Sequence, residues 1–327
     1  KSPGVFRIFC SGGSTTACNS VNDEETWPMF LEQFLTSRGY RVEVINAGVQ
    51  GWYSYQELLR FQKEIVHYEP DLLLLSQGLN DEFAYSSQNL GKWWRSRIAR
   101  HFIEEKYLFS FPSKILSNTS SLLFFFLVRT YFKNFVFDRR MPFSNHDRWQ
   151  CLKKPEYLTA WFDNLAEFAR EADKRGITLR AINPPALIDF DDLVAEGSAF
   201  KAPEGWDQLK TEYLVASQKR IEKTLESVSH FLPVINVATA WQGIPYTKRK
   251  DLFQDNIHPN VAGNKLLAET VGKTLIAEEI MPSPSTHKRS TTTLPTEEEL
   301  ERLRKQVGAN DPVLSDFIEK RIEKLSS

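Results

Sequence analysis

The sequence predicts an α/β protein with a central parallel sheet covered by helices on both faces. Three observations carry this expectation. Short apolar runs alternate along the chain with stretches whose apolar residues recur every three or four positions. The run Asp71–Ser76 is continuously apolar between its ends, as a parallel strand buried on both faces requires. Each run also stops at a turn containing Gly, Asn or Pro.

Taken in order, Val5–Cys10 is a strand that runs into Ser11, Gly12 and Gly13. Thr26–Arg38 is a helix with Phe30, Leu31, Phe34 and Leu35 on one face. Val42–Asn46 is the second strand, and Tyr55–Tyr68 a helix bearing Leu58, Leu59, Phe61, Ile65 and Val66. Asp71–Ser76 is the third strand. Regular alternation returns with a helix over Glu156–Arg175, a strand over Thr178–Asn183 and a helix over Trp206–Ser229. A fifth strand over Pro233–Val237 and a helix over Pro259–Ile280 complete the pattern. Right-handed crossovers then place ligands at the carboxyl ends of the strands, in the loops after Cys10, Asn46 and Ser76.

Two regions depart from the alternation. Residues 82–154 read as a helical insertion, with Trp93, Trp94, a basic cluster of Arg95, Arg97 and Arg100, and a Phe-rich stretch at Phe124–Phe126. An aromatic helix packed on the domain is the simpler account of the tryptophans and arginines; a lid or membrane-surface contact is the sharper one. Asn118-Thr119-Ser120 is a glycosylation sequon, meaningful only in a eukaryotic secreted protein. Residues 281–295 form a polar, breaker-rich linker, and residues 296–327 a helical tail. There Thr296 and Glu299 make a capping box before Leu300, Leu303 and Val307, and Asp311-Pro312 starts a helix with Leu314, Phe317, Ile318, Ile322 and Leu325. The main domain is thus expected over residues 1–280.

Composition narrows the function. With 41% hydrophobic residues, 25% charged residues and a net charge of -1, the chain is an ordinary globular protein with no electrostatic case for nucleic acid. The 23 Phe supply a large core or an apolar acyl pocket. The cysteines, Cys10, Cys18 and Cys151, have no metal-site spacing, and free buried thiols are expected over a Cys18–Cys151 bridge. The longest wholly apolar run, Leu122–Val128, is far below the ~20 residues of a membrane span. The chain begins at Lys1 without Met and reaches its first strand at once, so it reads as trimmed, which leaves room for an upstream signal or anchor.

Four segments carry chemistry. In Gly12-Gly13-Ser14-Thr15-Thr16 a serine sits where a strand turns into a helix, with free N–H groups beside its hydroxyl. Such turns more often bind phosphate or merely turn, though no Lys follows to make a P-loop. In Asn46-Ala47-Gly48-Val49-Gln50-Gly51, Gly48 offers a backbone N–H or is simply part of a turn. In Gln77-Gly78-Leu79-Asn80-Asp81, the Asn80 amide is a donor for a developing oxyanion or the centre of an Asx-turn. Finally, Asp255-Asn256-Ile257-His258 places a carboxylate and an imidazole on one side of a turn, an arrangement shared by none of the other five histidines.

These four segments, in this order, resemble the blocks of the SGNH, or GDSL-like, hydrolase family over roughly Val5–Ile280. The resemblance implies a flavodoxin-like three-layer α/β/α sandwich around a sheet of about five strands, and hydrolysis of esters on lipids, sugars or small molecules. It implies Ser14 as nucleophile, His258 as general base and then acid, and Asp255 as its orienting group. The oxyanion hole would be the Ser14 and Gly48 N–H groups and the Asn80 side chain, with no metal or organic cofactor. Many members read Gly-Asp-Ser in the first block, whereas Gly13 takes the Asp position here. That variant is similar to a bacterial branch that often carries an N-terminal anchor, which makes an extracytoplasmic or membrane-anchored location the expectation, with a cytoplasmic one the alternative. The expected substrate is a short-chain acyl or glycan ester. An O-acyltransferase would use the same triad, and a non-catalytic binding module would need a broken one.

Overall fold

The computed structural model describes residues 1–86, 145–153, 158–241, 243–282, 294–306 and 311–326. Five parallel strands form one sheet: β1 (Phe6–Gly12), β2 (Val42–Asn46), β3 (Leu72–Ser76), β4 (Thr178–Ile182) and β5 (Val234–Ile235). Their order is β2-β1-β3-β4-β5, the order of a doubly wound flavodoxin-like sheet. The chain moves one way from β1 to β2 and the other way from β3 onward. The switch point therefore lies between the carboxyl ends of β1 and β3, paired in register as far as Gly12 opposite Ser76.

Burial explains the strand sequences. Every residue of β3 is buried, which is why it reads Leu-Leu-Leu-Leu-Ser, whereas edge strand β2 is mostly half-buried and reads Val-Glu-Val-Ile-Asn. Helix α1 (Ser14–Ala17) is a single turn. Helix α2 (Trp27–Thr36) starts after Thr26 with Pro28 in its first turn and turns Trp27, Leu31, Phe34 and Leu35 inward. Helix α3 (Ser54–Lys63) stops at Glu64, and a separate 3₁₀ turn covers Ile65–Tyr68, so the expected single helix is two pieces. Helix α4 (Leu79–Ser86) follows β3 directly.

The remaining helices are α5 (Asn145–Lys153), α6 (Thr159–Arg175), α7 (Phe190–Glu196), α8 (Gln208–Val228), α9 (Tyr246–Arg249), α10 (Val261–Ala277), α11 (Glu297–Gln306) and α12 (Pro312–Ser326). Helix α6 ends on Gly176 at φ 64°, a left-handed cap suited to glycine. The short α7 escaped sequence reading, although Asp189 and Asp192 form its capping box. Helix α10 begins one cap later than expected: Pro259 pairs with Phe253 in an antiparallel bridge, and the Asn260 side chain accepts from the Gly263 N–H. The basic and aromatic residues Trp93, Trp94, Arg95, Arg97 and Arg100, the Phe124–Phe126 stretch and Asn118 lie outside the described residues, as do Val307 and most of the expected linker.

The two C-terminal helices pack back on the domain. The Thr296 hydroxyl accepts from the Glu299 N–H, and Asp311 accepts from the Val313 and Leu314 N–H groups, as their sequences predict. Leu300, Leu303, Leu314 and Ile318 are buried in the same apolar cluster as the sheet core. Polar pairs Arg304–Asp163, Lys153–Glu319 and Arg321–Glu212 join the tail to α6, α5 and α8. All three cysteines are free and buried; burial pushes the Cys18 thiol up to about 11, so it is unreactive at neutral pH. No helix among the described residues is long and apolar enough to cross a membrane.

The tail's core residues give a direct test. Ile318→Ala deletes a fully buried side chain and is expected to cost about 2–5 kcal/mol in urea unfolding. A loss below about 0.5 kcal/mol, the range of surface substitutions, would mean that the helix does not dock in solution.

Candidate active site

Ser14 is the first residue of α1, at the end of β1. A helix leaves its first N–H groups without intrahelical acceptors. Here the Thr16 and Ala17 N–H groups donate to Gly13 O, so intrahelical bonding begins only at Thr16, and Ser14 and Thr15 stand at the free start of the helix. The glycines before Ser14 are needed for space rather than for dihedral freedom. Gly13 has an ordinary φ of −83°, yet a Cβ there would overlap Asn80 Nδ2, and a Cβ at Gly12 would lie 2.5 Å from Ser76 O.

His258 reaches Ser14 from the other side of the sheet end. Its Nε2 lies 2.8 Å from Ser14 Oγ, and its Nδ1 lies 2.7 Å from Asp255 Oδ2. A carboxylate only accepts, so Nδ1 carries the ring proton, Nε2 is the acceptor, and the Ser14 hydroxyl donates to it. Burial works against the Asp255 charge. Hydrogen bonds from the His258 side chain and from the Ile257 and His258 N–H groups outweigh it, holding the carboxyl below its ordinary range.

The turn itself is anchored at Asn256, which is buried. Its carbonyl accepts from the Leu187 N–H and its side chain accepts from the Ile188 N–H. The Phe253–Pro259 bridge closes the loop below it.

Asn80 stands in the first turn of α4, not in the loop where the sequence suggested it. The loop is reduced to Gln77 and Gly78, and Gly78 has φ 109°, which L side chains avoid. One N–H of the Asn80 amide donates to Trp52 O at 2.8 Å. The amide nitrogen carries two hydrogens, so the bond to Trp52 fixes its orientation and leaves one donor for the reaction centre.

Gly48 differs from expectation. Its N–H donates to Asn46 Oδ1 at 3.0 Å, and Gly48 is not among the described residues that line the cavity. A Cβ at Gly48 would press into the backbone of α1, 2.6 Å from the Thr16 carbonyl carbon. What the structure gives to Gly48 is close approach to the turn that carries Ser14, while its N–H already has an acceptor.

The cavity beside Ser14 is about 20 Å³ and is lined by Trp52, Leu79, Asn80, Pro184 and Ile257, among others. Some 10–15 Å³ suffices for one water, so the space admits a group of about methyl size. Its inner wall contains Glu57, which sequence reading passed over, and Asp81, which it quoted in the third segment without a role. Glu57 Oε2 accepts from Ser11 Oγ at 2.9 Å and Gln77 Nε2 at 2.6 Å. Burial pushes its pKa up to about 8 against these bonds. Asp81 accepts from the Ser54 N–H and, at 2.5 Å, from the Ser54 hydroxyl, and burial raises it to about 6. The missed signal was positional: Glu57 falls four residues before Phe61 and eight before Ile65, on the apolar stripe of its helix.

With this geometry in view, comparison with known families is decisive. The sequence matches the GDSL-like lipase/acylhydrolase family over residues 10–266. The chain belongs to this family. Comparison with curated proteins finds no match. Among solved structures, an acetylxylan esterase from Geobacillus stearothermophilus is 14% identical, with 86% of this chain and 97% of that one covered at a TM-score of 0.44. A putative lipolytic G-D-S-L protein from Desulfitobacterium hafniense is 13% identical, with 82% and 99% covered at 0.44.

Two outcomes follow from the site's steric and electrostatic makeup. Gly13→Ala of this GDSL-like chain should displace the Asn80 amide and lower kcat by ~10²-fold with little change in thermal stability; an unaltered kcat would refute the clash. The second concerns pH. A carboxyl that keeps its proton in the folded state up to about 8, but loses it near 4.5 when unfolded, makes stability fall as pH rises through that window. Glu57→Gln should therefore flatten the decline between pH 5 and pH 8, by an amount on the order of a few kcal/mol in urea titrations. Parallel wild-type and variant curves would show that Glu57 does not titrate there.

Proposed function

We propose that this GDSL-family protein is a serine esterase that cleaves short-chain carboxylic esters through an acyl-enzyme on Ser14. The observation that carries the reading is the Ser14–His258–Asp255 chain, with links of 2.8 and 2.7 Å, at the mouth of a methyl-sized cavity. In the first half, Ser14 Oγ attacks the acyl carbon and its proton passes to His258 Nε2. Asp255 holds the resulting imidazolium in place. The oxyanion is met by the Ser14 N–H and the free Asn80 N–H. The Gly48 N–H joins them once it leaves Asn46 Oδ1. His258 then protonates the departing alkoxide, which leaves as the alcohol. In the second half, water attacks the acyl-serine, gives its proton to His258, and the acid departs as that proton returns to Ser14 Oγ.

The small space beside Ser14, about 20 Å³, supports a reading in which the acyl substituent enters and the alcohol lies toward the open side. Acetyl esters, including O-acetyl groups on glycans, are the substrates this favours.

The reading is tested with p-nitrophenyl acetate, butyrate and octanoate. Wild-type turnover should be greatest on acetate and absent in Ser14→Ala, and Asn80→Ala should lose ~10²–10³-fold in kcat. Octanoate turned over as fast as acetate would refute the short acyl pocket, and turnover surviving in Ser14→Ala would refute the nucleophile. Product analysis with an added acceptor alcohol distinguishes release of free acid from transfer to the acceptor.

A further inference from the structure

Beneath the proposed nucleophile lies a polar clamp centred on Glu57, a residue outside the four sequence segments. β1 and β3 are tied by backbone pairing only as far as Gly12 and Ser76. Beyond that point the two chains diverge, one into the turn carrying Ser14 and the other into the turn carrying Asn80. Ser11 lies three residues before Ser14, and Gln77 lies three before Asn80. Both donate to the same oxygen, Glu57 Oε2, at 2.9 and 2.6 Å. Glu57 is only 2% exposed and belongs to α3, so a third element joins the two strand ends where their own ladder stops.

Helix α3 is itself fixed at its start. Asp81, next to Asn80 on α4, accepts from the Ser54 N–H and hydroxyl, and Asn164 of α6 donates to the same hydroxyl. The helix that presents Glu57 is thus referenced to the helix that presents Asn80.

We propose that Glu57 is a positioning residue that sets the separation of Ser14 and Asn80 by holding Ser11 and Gln77 on one carboxyl oxygen. The proposal rests on Ser14 being the nucleophile and Asn80 an oxyanion donor. An apolar side chain would fill the site without the stability cost that burial of an ionisable group imposes, and the clamp supplies the reason for a carboxyl. A misplacement of about 1 Å between reacting groups can cost ~10²-fold in rate. Loss of the clamp therefore acts on kcat rather than on substrate affinity.

The test compares Glu57→Ala and Glu57→Gln with wild type by steady-state hydrolysis of p-nitrophenyl acetate. A second readout is the rate at which a fluorophosphonate labels Ser14. Glu57→Ala is expected to lower kcat and the labelling rate by ~10–100-fold with KM within about twofold. Glu57→Gln, whose amide oxygen still accepts both bonds, is expected to recover both to within about threefold of wild type. Ser11→Ala and Gln77→Ala each remove one arm and should lower kcat in folded protein, which carries the test if Glu57→Ala does not fold. Glu212→Gln, at a buried carboxylate paired with Arg321, controls for stability loss alone. Equal kcat in wild type and Glu57→Ala, or a Glu57→Gln as impaired as Glu57→Ala, overturns the proposal. Labelling at Ser14 without ester turnover overturns the esterase reading, while the labelling rates of the Glu57 variants still decide the clamp. Absence of both labelling and turnover in wild type overturns the two together.

Discussion

At Gly12 a Cβ would lie 2.5 Å from Ser76 O; at Gly13 it would overlap Asn80 Nδ2; at Gly48 it would press into the backbone of α1. These three glycines let three turns, from three strands, close on one another at the switch point of the sheet. Everything that meets at Ser14 depends on that closeness. The Asn80 amide stands beside Ser14 because nothing projects from Gly13, and the second turn seats against α1 because nothing projects from Gly48. A phosphate-binding turn uses glycine to bring backbone near a ligand; here the same residue brings backbone near backbone, and the ligand space that survives is about 20 Å³.

Close packing of turns fixes positions but leaves polar groups that must be satisfied, since an unpaired buried donor or acceptor costs about 1–3 kcal/mol. Several of the bonds that satisfy them fix the position of a candidate site residue. Asn80 spends one N–H on Trp52 O and is thereby aimed. Asp255 spends one oxygen on the N–H groups of its own turn and the other on His258 Nδ1. Asn256 ties the middle of that turn to the loop after β4.

How much of this was legible in the sequence follows from range. The five strands could be read because each is a short, largely apolar run between helical stretches, and Ser14, Asn80, Asp255 and His258 could be read as candidates because each sits within a few residues of a strand end or a helix entrance. Gly48 was legible as a necessary glycine, but not the acceptor of its N–H, because Asn46 was read only as the end of its strand. Start of α10 at Pro259 was misjudged since proline suits the first turn of a helix, whereas the bridge to Phe253 is a contact of the folded loop. Glu57 was missed for a deeper reason. One charged residue beside two leucines is ordinary in an amphipathic helix, and its partners, Ser11 and Gln77, lie 46 and 20 residues away. Only the stripe it shares with Phe61 and Ile65 marks it as inward-facing.

The three carboxyls around the site show how environment divides labour among identical groups. Asp255 is partly exposed, and its hydrogen bonds keep it charged, which suits the proposed role of stabilising an imidazolium. Glu57 is buried, and burial pushes it up to about 8, which suits the proposed role of accepting two hydrogen bonds without bringing a full charge near Ser14. Asp81 lies between, raised to about 6 by burial but held by the Ser54 N–H and hydroxyl. In the proposed mechanism a full charge on Glu57 would oppose the negative charge developing on the substrate oxygen, and a neutral acceptor keeps the proposed clamp without that repulsion. The placement of protons in this site is therefore part of its architecture, set by which carboxyls the close approach of the turns leaves in water and which it buries.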